Sequence, residues 1–229
     1  MAAIRLGVLG GSFNPIHRGH LYVARRVQRL FRLSQVHFVV AAAPPHKTAR
    51  GLAPFVHRYA MVSLALAGSR VLMPSLVELE PPPSPFSLHT MRKLEGAVRG
   101  RRALPYFIGG GDSLRDVKTW HESEKLLASY NFIFTDRPGV RIPNPERQLP
   151  AGVRDRLIDL RGAAGGAALR IIRSAEAAES PRIFLLDIAA PAVSSSNIRQ
   201  HIRARRPFGH LVPSIVCEYI QKLQLYGEQ

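Results

Sequence analysis

One cysteine, Cys217, stands in the 229 residues. A lone thiol can form neither an internal disulfide nor a multi-thiolate zinc site. Its apolar, helix-like surroundings near the carboxyl terminus predict a buried structural thiol. No stretch approaches the ~18 consecutive apolar residues that a membrane span requires, and nothing repeats at a fixed period. The first apolar run carries Arg5 and meets Gly10-Gly11 almost at once, with no small-residue cleavage site beyond it, so no secretory signal is expected. Together these absences predict a cytoplasmic protein without a membrane partner. Acidic residues are also scarce: 16 Asp and Glu face 32 Lys and Arg, a formal net charge of +16. Such an excess asks for an anionic partner. The basic residues are scattered, however, and the densest local group is only Arg203, Arg205 and Arg206. Arginine far outnumbers lysine amid abundant Ala, Gly and Pro, a bias that GC-rich coding produces. With no contiguous basic tract and no aromatic series beside one, nucleic acid is disfavoured against phosphorylated small molecules.

What is present suits one α/β core. At 46% hydrophobic residues the chain is long enough for one sizeable core and short for two, so 1–229 is expected to form a single domain. Short apolar β-type runs alternate with helical stretches. Strands are expected at Ile4 to Leu9, Val36 to Val40, Val71 to Leu79, Leu104 to Ile108, Phe132 to Thr135 and Ile183 to Ile188. Helices are expected from Gly19 to Leu33, Phe55 to Ala67, Ser87 (as cap) toward Val98, after Ser194, and from Pro213 to Leu223. Ile142 to Pro181, rich in proline and then in Gly and Ala, reads as an irregular excursion. Strand–helix alternation implies a mainly parallel sheet with helices on both faces, whose ligands sit beyond the strands' carboxyl ends.

The strongest local signal is Gly10-Gly11-Ser12-Phe13-Asn14-Pro15-Ile16-His17-Arg18-Gly19-His20. A buried strand feeds a glycine turn, and a helix follows directly. Glycine lets backbone approach a ligand closely, and a helix start supplies N–H groups and a positive dipole end. His17 and His20, three apart in a first turn, share a face and suit polyphosphate, since each imidazole can donate to its oxygens. A nearby anion would favour the protonated, doubly donating form. No Cys, Asp or Glu nearby completes a zinc site with the pair. No Gly-Lys-Ser/Thr follows the turn, and G-x-G-x-x-G is absent, so neither the P-loop nor the dinucleotide fingerprint applies.

A second strand–helix junction carries Ser194-Ser195-Ser196-Asn197-Ile198-Arg199. Serines at a helix start cap it and present further donors. Arg199, about one turn in, can fork onto a phosphate. On another strand end of the same sheet, this element reads as the second jaw of a phosphate clamp.

The first string resembles the G-x-F-x-P-x-H-x-G-H signature of the nucleotidylyltransferase superfamily, and Ser194 to Arg199 is similar to its Ser-Ser/Thr-x-Ile-Arg element. Further motifs resemble the bacterial nicotinate mononucleotide adenylyltransferases: Pro44-Pro45-His46-Lys47, Gly110 with Asp112, Trp120, Arg137-Pro138-Gly139, and the ending from Leu211-Val212-Pro213 to Leu225-Tyr226. The resemblance runs over nearly the whole chain in the expected order. It departs at Asn14, where many members carry Asp, at Pro85-Phe86-Ser87, where Ser-Tyr-Thr is usual, and at His121, where Tyr is common.

The resemblance implies a Rossmann-like nucleotidyltransferase fold and in-line attack of a pyridine mononucleotide's 5′-phosphate on the α-phosphorus of ATP, releasing pyrophosphate. Positioning and charge stabilisation dominate such chemistry, and an ionised phosphate needs no general base. It assigns His17, His20 and Arg199 to catalysis, and Gly10, Gly11, Ser12, Phe13, Ser195 and Ser196 with them to ATP. Lys47, Ser87, Asp112, Trp120 and His121 fall to the mononucleotide, with Arg137 near the nucleotide. Trp120 would stack on the pyridine ring, the alternative being core packing. Mg²⁺ is expected to arrive with the triphosphate, and no protein-held metal site is read. Nicotinamide mononucleotide and phosphopantetheine remain rival acceptors, against which Lys47, Trp120 and Arg-Pro-Gly favour nicotinate mononucleotide.

Overall fold

The computed structural model describes residues 4–42, 51–84, 86–96, 103–136, 142–163, 165–177 and 180–227. Seven strands form one sheet: β1 (Ile4–Gly11), β2 (Gln35–Val40), β3 (Leu72–Ser75), β4 (Ala103–Gly110), β5 (Asn131–Asp136), β6 (Leu157–Asp159) and β7 (Ile183–Asp187). Their order is β3-β2-β1-β4-β5-β7-β6, and every pairing is parallel. The order reverses between β1 and β4, so connections leave in opposite directions there and open a crevice at the carboxyl ends.

Period-2 alternation explains why helices cover both faces. Val36, Phe38 and Val40 of β2, Tyr106 and Ile108 of β4, and Phe184 and Leu186 of β7 enter one buried cluster. Their neighbours Val39, Phe107, Ile183 and Leu185 enter a second cluster on the opposite face. The first face receives α1 (Arg18–Leu30), α2 (Phe55–Leu66), α6 (Gly165–Ala177), α7 (Ser195–Arg203) and α8 (Ser214–Lys222). The second receives α3 (Ser87–Gly96), α4 (Gly111–Asp116), a short 3₁₀ turn at Val117–Thr119, and α5 (Ser123–Ser129). At the centre, a methyl on Gly7 would lie 2.9 Å from the Leu33 side chain and 3.0 Å from those of Ile108 and Val36, so β1 must be bare there.

Four local expectations need correction. Residues 142–181 are not an irregular excursion: they hold edge strand β6 and the 13-residue helix α6. Strand β6 has only three residues, too few to show a period, and α6 opens on Gly165-Gly166, a poor helix start stabilised by Ala168 and Ile172 packing into the core. The strand expected over 71–79 stops at Ser75 and turns. Ser87 is the first residue of α3 rather than its cap, and the Phe86 carbonyl accepts from the His89 and Thr90 amides. Cys217 is only half-buried, although burial still pushes its thiol pKa up and so disfavours the reactive thiolate. Among the described residues no helix is long and apolar enough to cross a membrane.

Candidate active site

The first motif leaves β1 at Gly11 and turns sharply. Phe13 takes a left-handed backbone conformation (φ 44°) although it is fully buried, and the Asn14–Pro15 peptide is cis. A side chain in that region persists only where its surroundings hold it. They do: Asn14 donates from Nδ2 to the Gly51 carbonyl (2.8 Å) and accepts at Oδ1 from the Ala53 amide (3.0 Å). Arg58 of α2, 1% exposed, donates to the carbonyls of Ser12 (2.9 Å), Ala41 (2.8 Å) and Ala53 (2.9 Å). Its guanidinium also lies 5.6 Å from the Phe55 ring centre.

His17 is the N-cap of α1, with extended backbone, and His20 is the third helical residue. Each ring serves the other's backbone: His17 Nδ1 accepts from the His20 amide at 3.4 Å, and His20 Nδ1 accepts from the His17 amide at 3.3 Å. The two rings stack with centroids 3.6 Å apart, and the Phe13 ring meets His20 edge-on at 5.1 Å. Gly19 permits the fold-over, since a methyl there would sit 3.1 Å from the His17 ring and 3.0 Å from Val193. Because both Nδ1 atoms accept, the neutral rings carry hydrogen on Nε2, and each presents one Nε2–H donor.

The second motif is laced to the first. The Ser194 hydroxyl caps α7 by accepting from the Asn197 amide at 3.1 Å. Ser195 Oγ donates to the Pro15 carbonyl (2.9 Å), and Arg199 donates from Nη1 to the Asn14 carbonyl (2.7 Å) and from Nη2 to Ser196 Oγ (3.3 Å). Burial lowers the pKa of Arg199 from its ordinary value, and Arg203 adds to this while Tyr226 opposes it. The guanidinium therefore fixes the gap between the jaws as well as carrying charge. Arg199→Lys should raise the ATP KM or lower turnover, because an ammonium cannot make two directed bonds from one plane. Steady-state kinetics at varied ATP check this, and unchanged constants would leave Arg199 only its structural bonds to Asn14 and Ser196.

Between the jaws lies a cavity of about 490 Å³ at the sheet's reversal point. Gly10, His17, Gly19 and His20 line it from the first motif, Ile108 to Gly110 and Ser113 from β4 and α4, and Ser194 and Asn197 from α7. Thr135 and Asp136, at the end of β5, complete the wall. The two phosphate-type motifs thus meet at one crevice. Gly11 and Ser12 continue β1 into the turn, while Phe13 is core and supports His20. Ser195 and Ser196 start α7 and Arg199 lies one turn in, and none of the three is among the residues lining the cavity.

The acceptor candidates are more dispersed. Asp112 stands exposed in the first turn of α4, 3.3 Å from Arg115, while its neighbour Ser113 faces the cavity. Trp120 is half-buried, its indole edge-on to Phe107 at 5.3 Å against the second core cluster. Exposed His121 stacks on Phe86 at 4.3 Å, next to half-buried Ser87. Lys47 and Arg137, with Pro44, Pro45, His46, Pro138 and Gly139, lie outside the described residues.

Two supporting residues have no place among the motifs. Arg58 carries a signal all the same: a charge three and four residues before Met61 and Val62 falls on the buried face of α2. Asp136 carries none, because its partner Arg161 comes from the stretch expected to be irregular. Asp136 Oδ2 accepts from Arg161 Nη1 at 3.0 Å, while its buried Oδ1 has no hydrogen-bond partner among the described residues. That oxygen is enclosed beside Gly111, where a methyl would lie 3.1 Å from it, so the bare glycine leaves it space.

Residues 8–201 match the cytidylyltransferase-like family. A protein of Acidothermus cellulolyticus named probable nicotinate-nucleotide adenylyltransferase is 32% identical over 97% of this chain and 94% of its own length. One of Pelobacter propionicus with the same name is 34% identical over 98% of this chain and 99% of its own. The structure of Plasmodium falciparum nicotinic acid mononucleotide adenylyltransferase complexed with NaAD superposes with a TM-score of 0.70, covering 97% of both chains at 19% identity, a likeness of fold. Family match and full-length relatives agree with the two-jawed crevice at the strand reversal: the chain belongs to the cytidylyltransferase-like family, among the nicotinate-nucleotide adenylyltransferases.

Proposed function

We propose that this protein transfers the adenylyl group of ATP to nicotinate mononucleotide, giving deamido-NAD and pyrophosphate, and does so in the cytoplasm as a step of NAD biosynthesis. The observation that carries the reading is the crevice where stacked His17 and His20 face the start of α7, joined by Ser195 and Arg199. The bond broken joins the α-phosphorus to the bridging oxygen of the leaving pyrophosphate; the bond formed joins that phosphorus to an oxygen of the acceptor's 5′-phosphate. An acceptor phosphate is already ionised near neutral pH, so donors and placement are what the protein must supply.

His17 and His20 offer Nε2–H donors toward the triphosphate, with His20 assigned to the α-phosphate. Ser195, Ser196 and Arg199 are assigned to the β- and γ-phosphates. Gly10 leaves room for the nucleotide at the end of β1, and Gly11 makes room for the Phe13 ring, which a methyl there would meet at 3.2 Å. Gly110, on the cavity wall, suits the nucleoside side. Mg²⁺ belongs with the triphosphate. Asp136 is the one carboxylate among the described cavity-lining residues, and Arg161 holds one of its oxygens, so phosphates and waters would furnish most of an octahedral shell.

On the acceptor side, Trp120, Ser87, His121, Asp112 and Lys47 are proposed to receive the mononucleotide, with Arg137 nearby. Discrimination between acid and amide rests on N–H donors aimed at two oxygens. The amide offers one oxygen and a clashing NH₂, leaving a donor unpaired at about 1–3 kcal/mol, or roughly 10- to 100-fold. Nicotinate mononucleotide should therefore exceed nicotinamide mononucleotide in kcat/KM by that factor. Trp120→Ala should raise the mononucleotide KM while leaving that for ATP nearly unchanged. Competition kinetics with both acceptors test this, and equal efficiencies would remove the selectivity while sparing adenylyl transfer.

A further inference from the structure

Outside the residues that line the described cavity, the surface between α3 and the turn before α5 gathers His89, Glu122 and His121, the last also assigned above to the acceptor side. One ligand-type atom from each lies within 4.8 Å of the others. Three features show a prepared arrangement. His89 Nδ1 is 2.7 Å from Ser84 Oγ, a contact that orients the ring and, with Nδ1–H donating to the hydroxyl, makes Nε2 the nitrogen for a metal. Metal-binding imidazoles commonly use their second nitrogen in this way. The His121 ring is held by stacking on Phe86 at 4.3 Å, and Phe86 also meets His89 edge-on at 6.0 Å, so one aromatic ring supports both imidazoles. Glu122 takes a left-handed backbone conformation (φ 47°) at the start of α5, and its Oε2 lies 3.5 Å from His121 Nε2.

We propose that His89, His121 and Glu122 form a binding site for one divalent transition-metal ion, zinc in the first instance. Two imidazoles and a carboxylate are a borderline donor set suited to Zn²⁺ rather than to Mg²⁺, which prefers oxygen. Three protein ligands leave a fourth tetrahedral position for water. Glu122 pairs through Oε1 with Lys125 at 2.7 Å, an exposed contact that a bound cation would displace at little cost. The ion would clamp α3 to the turn that carries Trp120. This site is separate from the Mg²⁺ that accompanies ATP and from the His17–His20 pair.

The test is calorimetric titration of Zn²⁺ into untagged, full-length protein freed of metal by a chelator, without any nucleotide. The wild type should bind one equivalent tightly enough to saturate at micromolar concentrations, and its thermal midpoint should rise with zinc. His89→Ala should weaken binding about 10-fold or more and abolish the zinc-dependent rise, while His20→Ala should bind as the wild type does. Cobalt in place of zinc should give visible d–d absorption in the wild type that His89→Ala loses. Absence of stoichiometric binding would overturn the proposal, and so would binding that survives His89→Ala or disappears with His20→Ala. Because no substrate is present, neither outcome depends on which acceptor the crevice uses.

Discussion

His20→Ala should lower turnover about 100-fold or more, the scale of losing one preorganised donor to a transition-state oxygen. The expectation follows from how the ring is held. Its Nδ1 is committed to the His17 amide, its face to the His17 ring, and its edge to Phe13. The ring so held lines the cavity wall, and its Nε2–H is the donor proposed for the α-phosphate. Alanine removes that donor and also the support behind His17, so both imidazoles lose position together. Stability should change much less, because His20 is half-exposed and α1 keeps its apolar face of Ala24 and Val27. A capping contribution of about 1 kcal/mol is the expected loss. Single-turnover rates with Mg·ATP, alongside a thermal melt, check both halves. A folded variant with turnover near the wild type would take His20 out of catalysis.

Arg58→Met should destabilise the fold by about 3–5 kcal/mol, the largest stability effect foreseen from one side chain here. Methionine replaces only the aliphatic part of the side chain, so the loss combines the missing polar bonds with a cavity where the guanidinium sat. The carbonyls of Ser12, Ala41 and Ala53 would each lose a charge-assisted bond in a buried place. Ser12 belongs to the first motif, and Ala41 directly follows β2, so the crevice floor should loosen even where the variant folds. Glu78 shares this region: its Oε2 accepts from the Ala42 amide at 2.9 Å, and burial raises its pKa, a shift that Arg58 partly opposes. Chemical denaturation should report the lower midpoint, and ATP affinity in the surviving folded fraction should fall. A midpoint equal to that of the wild type would mean the carbonyls find other partners.

Much of this architecture is legible in the amino-acid sequence. The two phosphate-type motifs, their positions at strand ends and the α/β layering all follow from short-range patterns. A buried parallel strand is a run of Val, Ile and Leu, and a glycine turn before a helix is local chemistry. The expected bounds of α2 and α8 and the expected start of α7 lie close to those observed, and α1 ends only slightly early, at Leu30. What the sequence hides depends on partners far away along the chain. Strand β6 exists because it pairs with β7, and α6 is stabilised by Ile172 in the core rather than by its Gly-rich start. The neutral tautomer of the histidine pair emerges only when both Nδ1 atoms are seen accepting from backbone. Asp136 and Arg161 are 25 residues apart and give no periodic sign of their pairing. Arg199 reads from its motif as a phosphate ligand alone, yet it also holds the Asn14 carbonyl 185 residues earlier. Spacing cannot reveal that second task.

The most direct test is identification of the product formed from Mg·ATP with each of three acceptors: nicotinate mononucleotide, nicotinamide mononucleotide and phosphopantetheine. Mass spectrometry would read the adenylylated product while a coupled enzyme counts pyrophosphate. Deamido-NAD and pyrophosphate should appear in equal amounts, fastest with nicotinate mononucleotide, and His20→Ala should suppress both together. Product from phosphopantetheine alone, or no pyrophosphate with either pyridine mononucleotide, would contradict the proposed reaction.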